Sequence, residues 1–136
     1  MSGGPLQGIR VIECAGYLSA PTAGYMLGDL GAEIIKIEDR EKGDPSRGTS
    51  AVFGSSMTLA NGENILFETA NRNKKSITLN LKNEKGRQLL YELVAKADVF
   101  CTNFTQSAIK KLEIDFETLK KYNPKLVYGL ATGYGL

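Results

Sequence analysis

Apolar positions along the chain follow two rhythms. Short runs rich in β-branched residues, at positions 9–14 (IRVIEC), 32–37 (AEIIKI), 76–81 (SITLNL), 98–102 (DVFCT) and 125–132 (KLVYGLAT), have the length and composition of strands. Between them, apolar residues recur three or four apart. Ala23, Met26, Leu27 and Leu30 mark one helical face behind Pro21, whose fixed φ suits a first turn; Ser19 can cap ahead of Thr22, and Gly31 stops the helix. Leu89, Leu90, Leu93, Val94 and Ala97 mark a second face, behind an Asn83 cap. Two short helices follow at 108–112 and 116–122, the second capped by Asp115 and closed ahead of Pro124. Strand, helix and strand in succession predict right-handed parallel crossovers. Repeated along the chain, they predict an α/β fold, an open and mostly parallel sheet with helices on both faces. Residues 38–64 break the rhythm with small and polar residues, and a loop of that length is functional or mobile rather than idle.

Composition narrows the function classes. A length of 136 residues fits one domain, and 42% hydrophobic with 24% charged residues is a folded globular balance. Lys and Arg total 17 against 15 Asp and Glu, a net charge of +2 with the signs interleaved, which argues against a nucleic-acid surface or a polybasic membrane anchor. There is no charged-then-apolar start and no apolar run of about 18 residues, so a cytoplasmic address without membrane spans is expected. Cys14 and Cys101 end apolar runs and read as packed thiols. The chain has no His, which removes Ser-His-Asp and Cys-His triads and two-His zinc motifs from its repertoire.

In open parallel sheets, ligands bind beyond the carboxyl ends of the strands. That rule nominates the loops at 15–20, 38–40, 81–83 and 103–106, none of which carries GxGxxG or a Walker phosphate loop. The cluster Asn71, Arg72, Asn73, Lys74, Lys75 and Ser76 reads either as an anion-capturing patch or as a solvated approach to a strand. Tyr17, Tyr25, Phe104 and Tyr134 are aromatics able to stack on a base or to fill core and rim positions. Alone, Lys111 reads as a surface residue completing a helix dipole.

The ordered segments say more. PLQGIRVIECAGYLSAPTAGYMLGDLGAEIIKIE, GDPSR, NRNKKSITLNLKNEKGRQLL, KADVFCTNF and NPKLVYGLATGYG, running from Pro5 to Gly135, resemble the amino-terminal part of the family III CoA-transferases, which include formyl-CoA, crotonobetainyl-CoA and phenyllactyl-CoA transferases. The resemblance implies a Rossmann-like large domain of which residues 1–136 form the amino-terminal, CoA-binding part, about a third of an enzyme of two-domain length. On that reading the chain end is a truncation, the complete protein is an interlocked homodimer, CoA and acyl-CoA are substrates rather than tightly bound cofactors, and a carboxylic acid is the other reactant.

Carried over position by position, the resemblance implies that Leu18 and Ser19 touch CoA, that Leu79, Asn80, Leu81 and Lys82 line its adenosine and phosphate region, and that Asn103, Phe104 and Thr105 form the next wall. Lys111 stands where formyl-CoA transferases place a phosphate-contacting Arg, and Asp39 where they place an Arg against the adenine. Leu18 replaces a Gln that serves polar substrates there, which disfavours oxalate; GDPSR, LNLKNEKG and TGYG point to 2-hydroxy acids and their enoyl counterparts. The implied chemistry is attack of an Asp carboxylate on the acyl-CoA thioester and passage through an aspartyl-CoA intermediate. Asp29, Asp39, Asp44, Asp98 and Asp115 all fall in other motifs, so the chain is expected to supply no catalytic residue and to be inactive alone. A non-catalytic nucleotide-binding or assembly module on the same fold is the alternative.

Overall fold

A computed structural model describes residues 3–135. In chain order its elements are β1 (Arg10–Cys14), α1 (Ser19–Asp29), β2 (Glu33–Glu38), a 3-10 turn (Pro45–Gly48), β3 (Ala51–Val52), β4 (Ser55–Ser56), α2 (Ile65–Asn71), β5 (Lys74–Thr78), α3 (Glu84–Val94), β6 (Val99–Thr102), α4 (Gln106–Lys111), α5 (Phe116–Leu119) and β7 (Val127–Leu130). Five strands form one sheet in the order β5-β2-β1-β6-β7, with every neighbouring pair parallel, and β3 with β4 makes a separate small hairpin. The strand order reverses between β1 and β6, the switch point at which such sheets open a crevice.

The predicted α/β sheet with helices on both faces is the fold observed. Period-two alternation sends Val11, Ile34 and Cys101 to one face, where Leu27 of α1 packs on them. Ile12, Cys14, Ile37 and Phe100 go to the other, against Leu90, Tyr91 and Val94 of α3, Ile109 of α4 and Leu119 of α5. Asn83 and Asp115 cap as expected, accepting from the amides of Gly86 at 2.8 Å and Thr118 at 3.0 Å. Tyr91, rather than the exposed Leu89, completes the buried stripe of α3.

Three local expectations are corrected. Ser19 does not cap α1; it lies inside the first turn with its hydroxyl taken by Asn103, and Leu18 holds the cap position without a side-chain bond. The buried face of α1 is Ala20, Pro21 and Gly24, while Ala23, Met26 and Leu30 are exposed. The cause is close approach: a Cβ on Gly24 would stand 1.9 Å from Glu13 Oε2. Lastly, β5 begins and ends earlier than 76–81, and residues 38–64 lead through the 3-10 turn and hairpin into α2, a seven-residue helix capped by Asn64 that the apolar rhythm does not announce.

Beneath α1 the sheet buries charge. Glu13 and Lys36 are cross-strand partners, and both are fully buried. Lys36 Nζ donates to Glu13 Oε1 and to the Ala15 carbonyl at 2.9 Å each, and stands 2.7 Å from Asp44 Oδ2. The buried ammonium of Lys74 stands 2.7 Å from Glu13 Oε2 while donating to the Pro21 carbonyl and Asn71 Oδ1. Two cations and two anions thus form one neutral set. Burial pushes the Lys36 ammonium toward its neutral form, but Glu13 and Asp44 outweigh it and leave the pKa above the usual value. For Lys74 burial prevails over Glu13 and the pKa is lowered.

Within the 71–76 cluster Arg72, Asn73, Lys75 and Ser76 are exposed, as a solvated approach to a strand requires, and the three cations are each paired with a carboxylate of the fold. Arg72 pairs with Asp29 at 2.6 Å and lies over the Tyr25 ring, Asn73 also donates to Asp29, Lys74 joins the buried set, and Lys75 pairs with Glu33. Removing one member of the buried set leaves uncompensated charge. Lys36→Met is expected to destabilise by about 3–5 kcal/mol. Lys75→Met, at a pair where the lysine is 73% exposed, is expected to cost under about 1 kcal/mol. Urea unfolding midpoints of the two variants check the contrast.

Candidate functional site

The loop after β1 meets the end of β6 at the switch point. Asn103 Oδ1 accepts the Gly16 amide at 3.0 Å, and its Nδ2 donates to the Gly16 carbonyl at 2.7 Å and to Ser19 Oγ at 3.0 Å. Tyr17 adopts a left-handed backbone, φ 60°, and donates its amide to Asp44 Oδ1 at 3.2 Å. That carboxylate oxygen also accepts the amide and hydroxyl of Ser46. The GDPSR segment is in this way folded down onto the ionic set between the sheet and α1.

Three cavities adjoin along the carboxyl edge. A crevice of 60 Å³ lies among Asp39, Arg40, Glu41, Asn80 and Lys82. It shares Asp39 and Lys82 with a slot of 160 Å³ floored by Cys14, Ile37, Leu79, Leu81, Phe104 and Leu112. Phe104 is in turn common to a cavity of 360 Å³ bounded by Ser19, residues 103–106 and residues 131–135. A wider depression of 600 Å³ opens beside β7, among Ile109, Phe116, Leu126 and Tyr128, and of the nominated loops it touches only Gln106.

Nine of the eleven nominated residues thus lie along one track: Ser19, Asp39, Leu79, Asn80, Leu81, Lys82, Asn103, Phe104 and Thr105. Leu18 lines none of the cavities and is 44% exposed at the start of α1. Lys111 lines none either; it is an exposed cation in the last turn of α4, one residue before Leu112, which floors the slot.

Several polar side chains on the track are committed locally. Asn80 Oδ1 accepts the Lys82 amide, Thr105 Oγ1 caps α4 through the Ala108 amide, and Asp39 Oδ1 accepts the amides of Glu41 and Lys42. The Lys42 and Glu41 amides hold the Asp39 carboxyl below its usual pKa. Burial pushes the Cys14 thiol in the slot wall up to about 12, so it is an uncharged lining group; Cys101 shifts likewise to about 12, and both thiols are free. Sequence reasoning reached Gln106 only as the end of the 103–106 loop, and it missed the ionic set as a set. Glu13 and Lys36, single charges inside otherwise apolar parallel strands, were the available signal. Among the described residues no cluster of His, Cys, Asp and Glu could hold a metal ion, and no helix is long and apolar enough to cross a membrane.

Residues 6–136 match CoA-transferase family III. The chain belongs to that family. It is 47% identical over 128 residues to the cinnamoyl-CoA:phenyllactate CoA-transferase of Clostridium sporogenes, an alignment covering 94% of this chain and 30% of that enzyme. Against the succinate–glutarate CoA-transferase of Agrobacterium fabrum it is 44% identical over 134 residues, covering 96% of this chain and 33% of the relative. The crystal structure of a CAIB/BAIF family protein from Brucella suis superposes with a TM-score of 0.85 at 39% identity, covering 98% of this chain and 35% of that one. This family III chain thus spans about a third of the length of the relatives it matches.

Glu38, at the rim of the slot, supplies a pH test. Burial raises its pKa, but a two-bond pair with Arg47 at 2.8 and 2.9 Å, the Ser76 hydroxyl and the Asp44 amide outweigh it and bring it to about 2. A carboxyl depressed from 4.5 contributes stability that is fully present above pH 4.5 and lost as pH falls toward 2. With Arg47 half-exposed, the contribution is about 2 kcal/mol. Glu38→Gln is expected to be less stable than the parent at pH 7 and to converge with it near pH 2, read from urea midpoints across that range.

Proposed function

We propose that this chain is the amino-terminal, CoA-binding part of the large domain of an enzyme that moves CoA between an acyl-CoA and a carboxylic acid. The observation that carries the reading is the continuity of the track: a 60 Å³ crevice, a 160 Å³ slot and a 360 Å³ cavity joined through Lys82 and Phe104 suit a ligand that is long, with a flat group at one end and a narrow arm. The slot is apolar on its floor and has room for one heterocycle, with Lys82 at the rim to meet phosphate. The arm then passes Phe104 toward residues 131–135.

The acid acceptor is a 2-hydroxy acid or its enoyl counterpart. An exposed Leu18 at the start of α1 offers an apolar surface and no partner for a second carboxylate. The relative active on phenyllactate fits this choice, and the succinate–glutarate relative is the competing case. The reaction runs through an Asp carboxylate that takes CoA as an aspartyl thioester, and that Asp comes from beyond Leu136. Among the described residues Asp39 lies on the track, but at the crevice end and tied to two amides, while Asp44 is buried against Lys36. The complete protein works as a homodimer, in the cytoplasm.

Calorimetric titration of the chain with CoA tests the reading. Expected are 1:1 binding, an affinity about tenfold weaker in Phe104→Ala, and a salt dependence that shrinks in Lys82→Ala. Absence of any CoA affinity in the parent chain, or unchanged binding in both variants, sinks it.

A further inference from the structure

The segment from Ala15 to Tyr17 is held by side chains from three distant places. Lys36 Nζ takes the Ala15 carbonyl at 2.9 Å, Asn103 takes both backbone groups of Gly16, and Asp44 Oδ1 takes the Tyr17 amide at 3.2 Å. The result is a left-handed Tyr17, φ 60°. For a bulky residue this backbone is strained. Packing does not compensate, because Tyr17 is 52% exposed. What holds the conformation is the set of hydrogen bonds.

Asp44 is the buried member of that set with the most contacts. One of its oxygens accepts from Tyr17 and twice from Ser46, the other meets Lys36 at 2.7 Å, and Lys36 is itself fixed by Glu13. A line of charge thus runs from the sheet interior to the loop ahead of α1. Asn103 completes the hold from the β6 side and reaches Ser19 with the same amide nitrogen, so both donor hydrogens of its Nδ2 are in use.

We propose that Asp44, seated on Lys36, is a positioning residue that works with Asn103 to keep Tyr17 left-handed and so to set the start of α1, with Ser19 on the cavity wall, for the ligand, the Asn103 side chain serving by this clasp rather than by contact with CoA. The inference rests on the CoA-binding reading above. It extends it to residues that never reach the cavities: Asp44 and Lys36 act through the backbone they hold.

The test uses backbone carbon chemical shifts of Tyr17, which report its φ, together with calorimetric CoA affinity. In the parent chain Tyr17 shows a left-handed signature. Asp44→Ala is expected to lose that signature and to bind CoA about tenfold more weakly. Asn123→Ala, which removes a comparable clasp on the Val94 and Ala97 carbonyls away from the track, keeps both. Adding Tyr17→Gly to Asp44→Ala removes the cost of a positive φ and restores part of the affinity. Should Asp44→Ala fail to fold, Asn103→Ala, whose partners lie outside the ionic set, gives the same two readouts. A left-handed Tyr17 retained without the clasp, or a lost signature with unchanged CoA affinity, overturns the proposal. A parent chain that binds no CoA removes the function reading, while the shifts still decide whether the clasp holds Tyr17.

Discussion

Charge buried beneath a helix is the constraint on which the other features depend. Once Glu13 and Lys36 face each other on neighbouring parallel strands, each carrying a charge that water cannot reach, the surroundings must supply opposite charge and exclude solvent. Asp44 and Lys74 supply it. A helix seated this low must be small on its inner side, and α1 meets that demand with Ala20, Pro21 and Gly24. The GDPSR loop has to fold down to deliver Asp44, which presses Pro45 against Gly16 and brings Arg47 to Glu38 and over the Phe67 ring of α2 at 3.5 Å. A well-packed apolar set of equal volume could be as stable as these ions. What the ions add is direction: each accepts or donates toward a named backbone group.

The order of elements was legible because strands and helices here differ in period, and parallel strands separated by helices leave little freedom of topology. Boundaries shifted where side chains decided them. Ser19 has the residue type of a cap, yet Asn103 claims its hydroxyl. Met26 and Leu30 obey the helical period, yet glycine on the opposite side lets the helix approach there instead. Ile65–Asn71 is too short to display a period, and its Asn64 cap was its one local mark. For the candidate site, the rule that ligands gather beyond strand ends named loops that the structure sets side by side along one edge. It could not tell which atoms on them are free, because the commitments of Asn80, Thr105 and Asn103 to nearby backbone exist only in three dimensions.

The sheet divides its labour by face. Glu13, Lys36 and the side chain of Glu38 point to the α1 side and form ion pairs; Cys14, Ile37 and Phe100 point to the α3 side, and the first two floor the slot. Neighbouring residues on one strand therefore serve opposite purposes, and a register slip of one residue in β2 would put Lys36 into an apolar slot and Ile37 among buried charges. Each face penalises the slip that the other would also penalise. Register is thus specified twice over, by charge and by apolar burial, at the strand whose end carries Asp39 to the crevice. That redundancy gives the edge a fixed shape, and an edge already fixed by its own register needs no ligand to order it.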